Sequence, residues 1–242
     1  MSTDGAEEQV TARVAGADWL ADRLTEADTP GWQRLEAALR RMGAGQRIEE
    51  VLREMGAVDR AVYNAIATVP TPTLDRPLRR LSRAADKSRL WLGVAAVIAL
   101  TGGQTGRRAA ARGLVSVGVT SAVVNLGAKS LYARRRPDRT GAGVPDERHV
   151  KMPGSTSFPS GHSASAFAFA AAVGRDMPAL ALGLSLLAAA VAYSRVHTGV
   201  HYPGDTIVGA VIGASTSYGV DAIADSLAPA TGPLSYLHAP QA

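Results

Sequence analysis

The chain has 242 residues, enough for one large domain or a domain with an appendage, and no period of about 20 to 50 residues repeats along it. It contains no cysteine, which excludes disulfides and thiolate chemistry, and its formal charge of +5 with a pI near 9.9 points to anionic partners. Aromatic residues are scarce and the basic ones do not alternate with Phe or Tyr, so nucleic acid fits less well than a membrane surface or a phosphorylated small molecule.

The opening, MSTDGAEEQVTARVAG, is acidic and lacks the apolar stretch of a secretory signal, so entry into a membrane is expected through internal segments. Residues 1–56 read as an amphipathic helical extension. Trp32, Leu35, Leu39 and Met42 recur at helical spacing after DTPGW, where Asp28 or Thr29 can cap and Pro30 can take the first turn. GAG at 43–45 ends that helix, and Ile48, Val51, Leu52 and Met55 begin a second stripe. Such stripes suit packing against the rest of the protein or against a second copy of the chain, with a membrane-surface role as the alternative, so a homo-oligomer is among the expected partners. VPTPT at 69–73 then breaks the helical pattern and marks a boundary.

From Leu90 the chain turns apolar: LWLGVAAVIALTGG, GLVSVGVTSAVVNLGA, SASAFAFAAAVG, PALALGLSLLAAAVAY and TIVGAVIGASTSYGV follow one another without an internal charge. Each is shorter than the roughly 20 residues that span a hydrocarbon core. Helices apolar on all sides nevertheless suit a bilayer or the centre of a bundle, and five exceed what a soluble domain of this size can hide. Their small residues also let membrane helices approach closely. The expected fold class is all-α, a membrane bundle of about five apolar helices over residues 57–225. A soluble all-α domain is the competing reading. Arg107, Arg108 and Arg112 are expected in a short loop between the first two apolar segments, and residues 226–242 in a disordered tail.

Three polar clusters stand at the ends of these segments: KSLYARRRP with Lys129 and Arg136, PSGH from Pro159 to His162, and SRVHTGVHYPGD with Arg195, His201 and Asp205. If the segments alternate in direction, all three clusters meet at one side of the bundle. Three fixed cations with backbone N–H groups at a helix start would hold a doubly charged anion, and two histidines allow nucleophilic attack by one and proton delivery by the other. Asp205 alone could equally be a helix cap.

K-x6-RP, PSGH and SR-x5-H-x3-D, in this order, resemble the three-part signature of the type 2 phosphatidic acid phosphatase family. The stretch from about Asp59 onward also resembles the phosphatase half of actinobacterial phosphatase–lipid kinase fusions. The resemblance implies catalytic roles for three residues. His201 would be the nucleophile that forms a phosphohistidine, Asp205 would orient it, and His162 would protonate the leaving alcohol and then activate water. Lys129, Arg136, Ser160, the Gly161 backbone and Arg195 would bind the phosphoryl oxygens. The resemblance further implies a multi-pass cell-membrane enzyme with a lipid phosphate substrate, an active site on the extracytoplasmic face, and no metal or organic cofactor. Arg134, Arg135 and Arg139 are expected at lipid headgroups or in a solvated basic run, His197 in packing or hydrogen bonding, and His149 and His238 as incidental.

Three alternatives remain at this point. His197 and His201 stand four apart, with Asp205 as a possible third ligand of a metal, although no zincin glutamate is present and the lysine and arginines would be left without a role. A vanadate-binding haloperoxidase-like enzyme shares the anion-binding constellation. A non-catalytic membrane module would keep the fold without turnover.

Overall fold

The computed structural model describes residues 44–129 and 134–227. The expected helix over residues 32–42, the tail beyond residue 227 and His238 lie outside the described residues. The chain divides into two compact units, residues 1–57 and 58–242. Of the first, the described part is the opening stretch of helix α1 (Ala44–Thr68). The rest of α1 belongs to the second unit, which holds everything below.

Helix α2 (Pro72–Ala84) follows a short turn, and a 3-10 turn (Asp86–Ser88) leads into α3 (Arg89–Thr101). Then come α4 (Gly103–Ala122), prolonged by a π-helical turn (Val123–Ala128), and a second 3-10 turn (Asp146–Arg148). The chain ends in α5 (Gly161–Asp176), α6 (Pro178–His197) and α7 (Pro203–Leu227). Pro72, Pro178 and Pro203 each open their helix, where the missing N–H costs nothing and the fixed φ suits the first turn. All described regular structure is helical, as expected, and the five apolar segments become α3 to α7.

Gly103–Ala128, Pro178–His197 and Pro203–Ala224 are long and apolar enough to cross a membrane. Helix α5, of 16 residues, is short because it is the hub: it packs on α4, α6 and α7, and Ala164, Ala166, Ala168, Phe169, Ala172 and Val173 are wholly buried. Its all-round apolarity therefore faces protein. The surrounding helices turn Leu92, Leu100, Leu126, Leu182, Leu186, Val211 and Ile223 outward, the pattern of a lipid-facing surface.

Arg107, Arg108 and Arg112 are not in a loop. Gly102 and Gly103, the latter at φ +59, turn the chain so tightly that α4 begins at once, and the three arginines ride on its early turns. Arg112 ties α4 to Asp176 (2.9 Å) and Asp221 (3.4 Å), and Arg175 also bonds Asp221, closing the end of the bundle away from the polar clusters.

Gly209 and Gly213 sit one helical turn apart where α7 crosses α5. A Cβ at either would overlap the carbonyl oxygen of Ser160 or Ala164, so backbone rests on backbone there. At Gly219, on the same helix, a Cβ meets nothing within 4 Å. Gly213→Leu should therefore lower stability by about 1–3 kcal/mol through overpacking. Thermal unfolding of detergent-purified protein checks it: Gly213→Leu unfolds at lower temperature, and Gly219→Leu matches the parent.

Candidate active site

The turn between α6 and α7 builds the first half of the site. Gly199, at φ +70, lets the backbone fold back so that the N–H groups of Val200 and His201 both reach the Arg195 carbonyl, at 3.1 and 3.2 Å. Asp205 is the third residue of α7. Its Oδ2 accepts the Tyr202 N–H at 2.9 Å, as a first-turn acid does in a capping arrangement, and also accepts the Ser157 hydroxyl. Its Oδ1 accepts from Arg134 Nη1 at 2.9 Å, and its Oδ2 stands 3.6 Å from His201 Nδ1. The cap reading and the imidazole-orienting reading of Asp205 are thus both met by one carboxylate. Its own carbonyl accepts the Ser160 N–H at 2.9 Å, joining the starts of α5 and α7.

Arg136 Nη1 donates to the Val200 carbonyl at 2.8 Å and lies 3.2 Å from His201 Nε2. A guanidinium only donates, so Nε2 presents its lone pair and Nδ1 carries the proton, facing Ser157 Oγ at 3.5 Å and Asp205. Burial, reinforced by the charges of Arg136 and Arg195 and opposed by Asp205, pushes the His201 pKa down to about 4. At neutral pH this imidazole is uncharged.

The second half gathers around Asp86, a residue without a place in the sequence reading. Its Oδ1 lies 2.9 Å from His162 Nε2 and 3.5 Å from Arg195 Nη1. The hydrogen bond with His162 is the main reason its carboxyl is held below the ordinary range, with Arg195 adding to it. Arg195 is wholly buried, donates to the Ser82 hydroxyl at 2.6 Å, and has an Nε–H without a protein acceptor. Lys87 and Ser88 follow Asp86 with φ of 55° and 58°, a left-handed pair of non-glycine residues costing about 1–3 kcal/mol each.

Lys129 Nζ reaches Asn125 Oδ1 at 2.8 Å and Ser155 Oγ at 3.2 Å, and Ser155 Oγ also accepts from Arg136 Nη2 at 3.3 Å. One hydroxyl thus bridges two cations. Burial first, and then the neighbouring Arg136 charge, lowers the Lys129 pKa, and burial lowers that of Arg136. Ser160 caps α5: its Oγ accepts from the Ser163 N–H at 3.4 Å and the Ser163 hydroxyl at 3.1 Å, which leaves its own proton to donate. Gly161 follows as the first residue of α5. The three polar clusters of the sequence therefore converge, in the contacts Arg136–His201–Asp205, Lys129–Ser155–Arg136 and Arg195–Asp86–His162.

Two arginines differ from expectation. Arg134 does not sit at a headgroup: it is largely buried, bonded to Asp205 and to Asp59 (2.7 Å), and stacked on the Tyr202 ring at 4.1 Å. Arg139 donates to the Val150 carbonyl at 2.7 Å. Arg134 is drawn inward by carboxylates of α1 and α7, and Arg139 by a carbonyl of its own loop. His197 bonds Asp75 at 3.0 Å, and the same Asp75 oxygen accepts from the fully buried Arg148 at 2.8 Å. Arg148 in turn caps the end of α1 through the carbonyls of Ile66, Ala67 and Val69. His197 is thus held apart from His201, and among the described residues no group of three His, Asp or Glu side chains is placed to hold a metal ion. His149 bonds the Val144 carbonyl.

Asp59, Arg134, Ser157 and Asp86 were missed by sequence reasoning. For Asp86 a signal existed: it is the only carboxylate between residues 76 and 137, set among six Arg and Lys residues from Arg76 to Arg89.

Residues 109–224 match the family model described as the PAP2 superfamily. The chain is 40% identical over 98 residues to decaprenylphosphoryl-5-phosphoribose phosphatase of Mycobacterium tuberculosis, a match covering 39% of this chain and 50% of the relative. It thus spans about half the length of the curated relatives it matches. A transmembrane PAP2 type phosphatidylglycerolphosphate phosphatase from Bacillus subtilis shares the fold at TM-score 0.53 and 23% identity, over 72% of this chain and 88% of that one. LpxE of Aquifex aeolicus does so at TM-score 0.52 and 21% identity, over 65% and 91%.

Removing Arg134 leaves the buried Asp205 carboxylate without its cation, a loss of about 3 kcal/mol. Arg134→Met should accordingly lower the unfolding temperature of the purified protein, and Arg135→Met, at an exposed neighbouring position, should not.

Proposed function

We propose that the chain, whose residues 109–224 match the family model of the PAP2 superfamily, is a membrane phosphatase that hydrolyses a lipid phosphomonoester or diphosphate through a phosphohistidine. The observation that carries the reading is the contact between Arg136 and His201. It leaves the Nε2 lone pair of a neutral imidazole inside a cluster of fixed cations, which is what attack on a phosphoryl group requires.

In the first step the Nε2 lone pair bonds phosphorus as the P–O bond to the lipid alcohol breaks, and His162 gives the leaving oxygen its proton. In the second, His162 takes a proton from water, the water oxygen bonds phosphorus, and the N–P bond breaks to release phosphate. Asp205 holds the Nδ1–H side of His201, favouring its positive charge as the N–P bond forms. Lys129, Arg136 and Arg195, with the Ser160 hydroxyl and the Gly161 N–H at the start of α5, bind the phosphoryl oxygens and stabilise charge developing on them. The unpartnered Nε–H of Arg195 supports its share. Asp86 acts through His162 as a positioning residue: it occupies Nε2 and leaves Nδ1 to exchange the proton.

Phosphatidic acid, phosphatidylglycerol phosphate, a prenyl phosphate or diphosphate and a prenylphosphoryl phosphoribose all present a suitable group on a lipid, and the lipid-facing helices support such substrates. The extracytoplasmic placement of the site follows the family resemblance; Arg107, Arg108 and Arg112 at the opposite end of the bundle agree with it, whereas Arg76, Arg79, Arg80, Arg83, Lys87 and Arg89, which precede α3 on the side of the site, count against it. Thr140→Cys, exposed in the loop over the site, is then the only thiol in the chain and should react with an impermeant reagent in intact cells.

Phosphate release from a panel of these lipids, with and without chelator and with vanadate as inhibitor, tests the activity. Labelled phosphate should be trapped on His201, and trapping elsewhere with His201 intact would end the mechanism. Because His201 must be neutral to attack, activity is lost as pH falls through its pKa. After allowance for the second ionisation of the substrate near pH 6, the acid limb of kcat/KM should lie near pH 4, not 6.5. Asp86→Asn should lower kcat about 100-fold with KM little changed, and Asp86→Glu should recover part of it.

A further inference from the structure

Helices α2 and α6 pack together at the end of the bundle that carries the site, whereas α3, which starts at that end, stands apart from α6. A groove of about 650 Å³ is left between them, walled by Leu90, Gly93, Val97 and Ile98 of α3 and by Leu180 and Leu184 of α6. Its site end is marked by Ala84, the last residue of α2, and Arg89, the first of α3. From Arg89 to Ile98 it runs about 14 Å at the helical rise. The walls are hydrocarbon and the mouth is guanidinium. Arg80, one turn before Ala84 on the same face of α2, is exposed, as is Arg89, and neither makes a hydrogen bond or ion pair among the described residues. The groove is separate from the reacting site. The cavity beside His162 takes its walls from the turn before α3 and from α4 and α5, and it shares no residue with the groove.

We propose that the groove binds a non-substrate lipid of the bilayer, an anionic phospholipid with one acyl chain between α3 and α6 and its phosphate on Arg89 and Arg80. At about 30 Å³ for a water-sized group, the groove takes roughly 20 heavy atoms, the size of one long acyl chain. An arginine at the start of a membrane helix lays its stem along apolar surface and lifts its charge to the level of the phosphates, where it makes charge-assisted hydrogen bonds. Charge also selects the headgroup. The ammonium of a zwitterionic lipid would need a carboxylate at the mouth, and Asp86 is already held by His162 at 2.9 Å and Arg195 at 3.5 Å. Bound in this way, the lipid ties α2 to α3 across the left-handed Lys87 and Ser88 and so steadies the turn that presents Asp86 to His162.

The test follows thermal unfolding of the detergent-purified full chain titrated with phosphatidylglycerol, phosphatidylcholine or glycerophosphate. Phosphatidylglycerol, a diester without a phosphomonoester, should raise the unfolding temperature by about 5 °C or more over phosphatidylcholine at about a hundredfold excess over its dissociation constant. Glycerophosphate, an anion without a chain, should not. Arg89→Gln should lose most of the shift, and Arg89→Lys should keep it. Gly93→Leu should abolish it, because a Cβ at Gly93 meets nothing within 4 Å and the new side chain fills the groove without disturbing the packing. Val97→Trp, at an exposed wall position, should do the same. Lys129→Gln, which alters only the phosphoryl site, should keep the shift. Equal shifts with phosphatidylglycerol and phosphatidylcholine, an equal shift with glycerophosphate, or a shift that survives both groove-filling variants overturns the assignment. Loss of the shift in Lys129→Gln but not in Arg89→Gln overturns it in favour of the active site. A parent particle twice the mass of Gly93→Leu overturns it in favour of a second copy of the chain.

Discussion

The Asp205 carboxylate is the interaction on which the rest depends. It is fully buried, and such a charge persists only when its lone pairs are met. Here they are met by four donors or cations from three separate places: the Tyr202 N–H and the neighbouring His201 in one turn, the Ser157 hydroxyl, and Arg134. Each of these belongs to a segment that would otherwise be free to drift. Through Arg134 the carboxylate reaches Asp59 in α1, and through Asp59 the Gly204 N–H at 2.7 Å, so the ring closes on the start of α7. The imidazole of His201 is oriented because the acid beside it cannot move.

That anchoring works only because α5 and α7 touch backbone to backbone. The Asp205 carbonyl can accept the Ser160 N–H because Gly209 and Gly213 put no side chain of α7 into the crossing just below. The same small-residue economy that makes the helices plausible in a membrane therefore sets the distance between the loop of His162 and the loop of His201. Packing and chemistry share one geometric cause. The alanines of α5 extend it: at its wholly buried positions the hub surrounded by α4, α6 and α7 admits one ring, Phe169, which lies 5.2 Å from Trp91, while Phe167 packs only partly buried at the edge of the core.

Much of the site is legible in the sequence because its members recur at fixed spacing at the mouths of apolar segments. Lys129, Arg136, His162, Arg195, His201 and Asp205 are all of this kind, and strict alternation of helix direction is enough to bring them together. Asp59, Asp86, Arg134 and Ser157 escape because their roles arise from long-range packing. Nothing local distinguishes Arg134 from Arg135, yet one is turned inward against Tyr202 and the other outward. The helix at Arg107 to Arg112 escapes for the opposite reason. Three arginines read as a polar connection, but arginine is a good helix former, and with Gly102 and Gly103 making the turn the loop has no residues left to fill. The hydrophobic run of α5 carries the period of a buried hub and of a membrane span equally, and only its neighbours decide between them.

The charges explain why such a cluster is stable without being inert. Lys129, Arg134, Arg136 and Arg195 stand against Asp59, Asp86 and Asp205, leaving one positive charge, and a protonated His162 would make it two. A phosphomonoester brings about −1.5 to −2 at neutral pH, so its arrival completes the balance. The distribution matters as much as the sum. Both Asp59 and Asp205 are paired with Arg134, whereas Lys129 and Arg136 are met by a hydroxyl and by amide and backbone carbonyls, and burial lowers their affinity for protons. Positive charge is thus concentrated on the wall facing His201 Nε2 and withheld from the wall that orients Nδ1. The gradient points an anion at the nucleophile before any bond is made.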